Sequence, residues 1–89
     1  MSTAYPVIRF ADLASMNLEE IKADFAYSIK KEMEYRELGQ WAEAGGVRAE
    51  VRTAYLAWAW KNVRACSRRT NACLAAMKSA PVAQVRLAA

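Results

Sequence analysis

Histidine is absent from this 89-residue chain, which removes both the commonest general base near neutral pH and the commonest metal ligand. No Ser-His, Cys-His or His-Glu-x-x-His constellation can therefore be assembled. Three glycines and two prolines punctuate the sequence, too few for the turns of an all-β domain of this length. The only cysteines, Cys66 and Cys73, are seven positions apart. On one helix that spacing separates their Cα atoms by ~10.5 Å, beyond disulfide reach, and they read as small packing residues. Two thiols cannot complete a four-ligand zinc site without carboxylates. Gly45-Gly46 lacks the flanking glycine and lysine of a phosphate loop. These absences argue against an enzyme and nominate no catalytic residue, metal ligand or cofactor. The one remaining chemical route would have Arg64, Arg68 and Arg69 lower the pKa of Cys66.

Long apolar runs are missing too. The longest uncharged stretches in the second half, Thr53 to Trp60 and Thr70 to Met77, fall far short of the ~20 residues that span a bilayer. The N-terminal residues MSTAYPVIRFADL do not form a charged lead, apolar stretch and small-residue cleavage site. A cytoplasmic location is the expectation.

What is abundant is alanine, nineteen residues within a 55% hydrophobic composition. Alanine favours helix strongly but contributes little buried area per residue. A chain this short makes one domain at most, with a marginal core, so homodimerisation or partner binding is expected. Charge is distributed unevenly. Residues 1–50 hold all nine acids and six bases, for −3, whereas residues 51–89 hold seven bases and no acid, for +7. Either the basic half meets an acidic partner, or the acidic first helix packs beside it and neutralises it internally.

Along the chain, residues 1–16 read as an N-terminal arm. Its Tyr5, Val7, Ile8 and Phe10 around Pro6 favour extended backbone and can anchor across the helices. Residues 17–80 form the helical domain. Asn17 followed by Glu20 is a helix start, and Leu18, Ile21, Phe25, Ile29, Met33 and Leu38 give one apolar stripe over residues 17–38. Gly39 offers a stop. A second helix is expected from about 40 to about 79, ended by Ala80-Pro81, with Gly45-Gly46 as a break point that would make three helices. Its apolar face comprises Trp41, Ala44, Val47, Val51, Ala54, Tyr55, Trp58, Ala65, Ala72, Cys73 and Ala76. Residues 81–89 form a short apolar tail. The predicted class is all-α: a helical hairpin or three-helix arrangement with an extended arm and one long basic C-terminal helix.

The most informative window is Val51 to Thr70, where basic and aromatic residues interleave. Lys61, Arg64 and Arg68 share a helix face, with Trp60 beside it and Trp58 on the apolar stripe. Together with Arg69 these six residues are the candidate partner-binding set. Against a protein they would meet an acidic or apolar surface, with tryptophan and arginine as anchors. Against DNA or RNA the row would neutralise phosphates. The plain alternative is a solvated face with Trp60 covered by the first helix. Interfacial membrane binding ranks lower, because the window is rich in alanine and poor in large apolar side chains.

Glu37-Leu38-Gly39-Gln40-Trp41-Ala42-Glu43-Ala44 resembles the turn of a tetratricopeptide hairpin. The same segment, with Trp58-Ala59, Arg64 and Cys66, is similar to the small bacterial AraC negative regulators. That resemblance implies a short helical protein that acts without catalysis, by binding a transcription activator. Small basic helical proteins of phages and other mobile elements, including inhibitors of host defence, share this composition.

Overall fold

The computed structural model describes residues 5–88, with side chains described as far as Ser79. Two helices account for most of it: α1, Leu18–Trp41, and α2, Ala49–Ala88. The Asn17 side chain accepts from the Glu20 amide at 2.8 Å and the Glu20 carboxylate accepts from the Asn17 amide at 2.9 Å. Two otherwise orphaned donors are thereby satisfied, with acids at the positive helix end, as the sequence predicts.

The helices run antiparallel, as Ser28 meets Thr70 and Gly39 meets Trp60. The protein is an all-α hairpin. The reversal does not occur at Gly39. That glycine is buried inside α1, where an added Cβ would sit 3.2 Å from the Trp60 indole, so its task is to admit Trp60. The chain turns through a π-helical segment, Ala42–Gly46, in which Gly45 takes φ +101°, a conformation that glycine adopts without strain. The eight residues resembling a tetratricopeptide turn thus lie in the end of α1 and the start of this segment. The break expected at residues 45–46 is the hairpin turn itself, and the second helix begins at Ala49 rather than near 40.

The far end also differs from expectation. α2 continues through Pro81 to Ala88, where a stop at Ala80-Pro81 and a separate tail were predicted. A proline removes one donor and crowds the preceding turn, which weakens a helix locally but need not end it. At 1.5 Å per residue α2 is ~60 Å long. The molecule measures 61 × 27 × 14 Å, so this one helix sets its length and the shortest dimension is a single helix layer.

The seam between the helices is made of small residues. Ser28, Ala42, Ala59, Asn62, Cys66 and Cys73 are all fully buried, with Ile21 and Val63 nearly so. Small side chains let the backbones approach, and the larger ones are displaced to the flanks. Both predicted stripes are therefore rotated from the true seam. On α1, Ile21 is buried but Ile29 and Met33 are 38% and 58% exposed. On α2, Cys73 is buried while Ala54 and Ala72 are exposed, and Trp41, expected on the same stripe, is exposed as the last residue of α1.

The arm explains part of the rotation. Residues 5–12 have no regular structure and lie across one face of the hairpin before a 3-10 turn, Leu13–Ser15. The Trp58 indole N–H donates to the Pro6 carbonyl at 2.7 Å, and the Ile8 amide donates to Asn62 Oδ1 at 2.7 Å. Tyr5 packs against Tyr55 and Trp58, and Phe10 against Tyr27. Val7 is exposed, and residues 1–4 lie outside the described part.

Candidate binding surface

The six candidate residues divide into two groups. Lys61, Arg64 and Arg68 are exposed on the side of α2 that faces away from α1. Helical rise sets their Cα atoms along ~10 Å of axis. The same outward strip carries Ala57, Asn71, Ala72, Ala75 and Lys78, all exposed. It is narrow, and the bases stand well above it.

Trp58, Trp60 and Arg69 belong to the interior. Trp58 is half-buried among Tyr5, Tyr35 and Tyr55, with its N–H used by the arm. Trp60 lies over Gly39 of α1, matching the plain alternative in which the first helix covers it. Arg69 is the most committed of the three. Its Nε donates to the Asp24 carboxylate, a second nitrogen donates to the Ala11 carbonyl at 2.6 Å, and the guanidinium sits 5.1 Å from the Phe10 ring centre. Its side chain is 11% exposed. Arg69 therefore clamps arm, α1 and α2 together as a structural tie. Tryptophan and arginine score highly as interface anchors from sequence, but they also tie down small cores, and only the path of the arm separates the two uses.

Electrostatics distinguish the exposed row from its surroundings. Among the described residues the ion pairs are Lys22–Glu19, Lys31–Glu34, Arg36–Glu32 and Arg69–Asp24. Three of these use bases of α1 itself. Internal neutralisation of α2 by α1 is thus confined to Arg69, and no acid lies within 4 Å of the Lys61, Arg64 or Arg68 charges among the described residues. The Lys31–Glu34 hydrogen bond raises the lysine pKa and lowers that of the glutamate.

Neither thiol is activated. Burial pushes the Cys66 thiol up, helped by the Glu32 charge and opposed by Lys31. The three arginines expected to lower it do not act on it. Burial also raises Cys73, whose Sγ lies 3.5 Å from Asp24 Oδ2, and both thiols are free. Among the described residues no group of three or more acids and cysteines is placed to hold a metal ion. No helix there is long and apolar enough to cross a membrane.

The residue that sequence reasoning missed is Asn62. It is fully buried, accepts from the Ile8 amide and donates to the Trp58 carbonyl at 2.8 Å. A signal existed: Asn62 is the lone amide on the Trp58–Cys66–Cys73 side of an otherwise apolar turn. Fold and surface define a two-helix hairpin with a clamped arm and an unpaired basic edge. No protein-family model, curated protein or solved structure matches the chain.

Proposed function

We propose that this protein is a small, non-catalytic regulator or inhibitor that binds an acidic partner protein along the outward edge of α2. One observation carries the reading: Lys61, Arg64 and Arg68 stand in one exposed row without an acid beside them, although the chain holds nine acids. Alanines on the same strip let a partner helix approach closely, and a row spaced three and four residues apart suits carboxylates at the same spacing. The resemblance to AraC negative regulators adds a cytoplasmic partner such as a transcription activator to this reading, and the small, basic, helical composition suits a phage or mobile-element setting.

A second reading, binding to DNA or RNA, is favoured by a different observation. With Trp58 and Trp60 drawn into the hairpin, the row keeps its charge but loses its apolar anchors, which suits a polyanion. Affinity capture with and without nuclease separates the two, using the natural chain and a Lys61→Glu, Arg68→Glu variant. The expected result is a protein captured at moderate salt, resistant to nuclease and lost with the variant, which keeps its circular dichroism. Capture unchanged by the variant would sink the regulator reading. Capture abolished by nuclease, with affinity falling steeply as salt rises, would replace it with the nucleic-acid one.

A further inference from the structure

The two broad faces of the hairpin are unlike. The arm covers one, through Tyr5, Ile8 and Phe10. On α1 the residues meeting the arm are Asp24 through Arg69 and Tyr27 through Phe10. Phe25, Ile29 and Met33 are rotated about 60° to 140° from Ser28 in the opposite sense at ~100° per residue, which puts them on the other face. Trp60 and Leu74 of α2 lie on that face by the same count, turned away from Trp58 and Arg69. It is bare, since Ile29, Met33 and Leu74 are 38%, 58% and 41% exposed.

We propose that a second copy of this chain closes that face, the two hairpins packing as a four-helix bundle. The interior of one copy is too poor to stand for a core, its largest fully buried side chains being Asn62, Cys66, Cys73 and Ser28. A layer 14 Å thick lacks the second layer that encloses a core in ordinary domains. The available area is sufficient. An α1 length of ~36 Å and a hairpin width of ~20 Å offer about 700 Å² per copy, against roughly 800 Å² per partner in a stable interface.

Charge selects the arrangement. By the same count Lys22, Glu32 and Arg36 lie within the bare face, but Lys22–Glu19 and Arg36–Glu32 are already paired there, so α1 brings no unpaired ion from these positions into it. α1 holds six acids and four bases, whereas residues 49–79 of α2 hold one acid and six bases. A two-fold axis parallel to the helices sets α1 of one copy across from α2 of the other, opposing unlike charge. A perpendicular axis would set like helices together.

Sedimentation equilibrium of the full chain tests this. The natural protein should give twice its 9.9 kDa mass at micromolar concentration. An Ile29→Glu, Met33→Glu variant should keep its helical circular dichroism and sediment as a monomer, its dissociation constant raised roughly 100-fold or more. Lys61→Glu, Arg68→Glu lies off this face and should stay dimeric, which keeps the result separate from the regulator reading. A mixture of Ile29→Cys and Ser67→Cys chains should cross-link between unlike chains. A natural protein that stays monomeric, or a glutamate variant that dimerises undiminished, would overturn the proposal, as would cross-linking confined to Ile29→Cys alone. Binding of a monomer to phosphatidylglycerol vesicles, abolished by the glutamates, would assign the face to lipid instead.

Discussion

Replacing Arg69 with alanine should be among the most damaging single changes in the chain. It deletes the ion pair to Asp24, the hydrogen bond to the Ala11 carbonyl and the cation over Phe10 together. The two ionic side chains are only 11% and 14% exposed. Solvent screening is thus limited, and stranding the Asp24 charge costs about 3 kcal/mol. The carbonyl bond adds about 1 kcal/mol and the cation–ring contact about 0.5. These terms overlap, so a loss of ~3–4 kcal/mol is expected. Natural domains of this size have about 5–10 kcal/mol in total, and the midpoint should fall by roughly 15–25 °C. Urea unfolding followed by far-ultraviolet circular dichroism measures the loss, while tryptophan fluorescence reports release of the arm from Trp58. An Asp24→Asn, Arg69→Met variant should recover part of the loss, because no charge is left stranded. A cost below about 1 kcal/mol for Arg69→Ala would refute the clamp.

Three further outcomes follow from the same geometry. Asn62→Leu leaves the Ile8 amide without its acceptor and should cost about 2 kcal/mol, with faster proteolysis between residues 8 and 12 than in the natural chain. Gly46→Ala should destabilise through the clash of its Cβ, 2.1 Å from the Trp41 indole. Gly45→Ala should cost about 1–2 kcal/mol from its positive φ alone, and equal thermal midpoints for both variants and the natural chain would contradict these roles. Folding raises both thiol pKa values, so the unfolded chain loses those protons first. The thiols' contribution to stability should be constant below about pH 8 and decline as pH rises past the ordinary thiol value of ~8.5. Iodoacetamide should label both cysteines only in denaturant, and rapid labelling of the folded chain would show that the seam is open.

The helix start at Asn17 and the all-α class were legible because both depend on local chemistry: a side chain that satisfies its own helix end, and propensity summed over many alanines. The outward row was legible for a similar reason, since three bases with no acid in their half of the chain had few partners to find. Two things were hidden by a single cause. Apolar periodicity reports where large side chains align, yet the seam uses Ser28, Gly39, Asn62 and Cys66, which periodicity scarcely weighs. The stripe was therefore assigned to Ile29 and Met33, and the turn to Gly39 rather than Gly45. The ties that Arg69 and Trp58 make to the arm were not legible because the arm is more than fifty positions away in sequence, beyond any local window.

The small-residue seam has a consequence for how this protein can diversify. Hairpin formation depends on positions where almost any enlargement is felt, while the outward edge of α2 contributes almost nothing to holding the helices together. Substitutions along Lys61, Arg64, Arg68 and Lys78 are thus nearly free of folding constraint. A lineage carrying this scaffold can therefore change the charge of that edge one residue at a time without passing through unfolded intermediates.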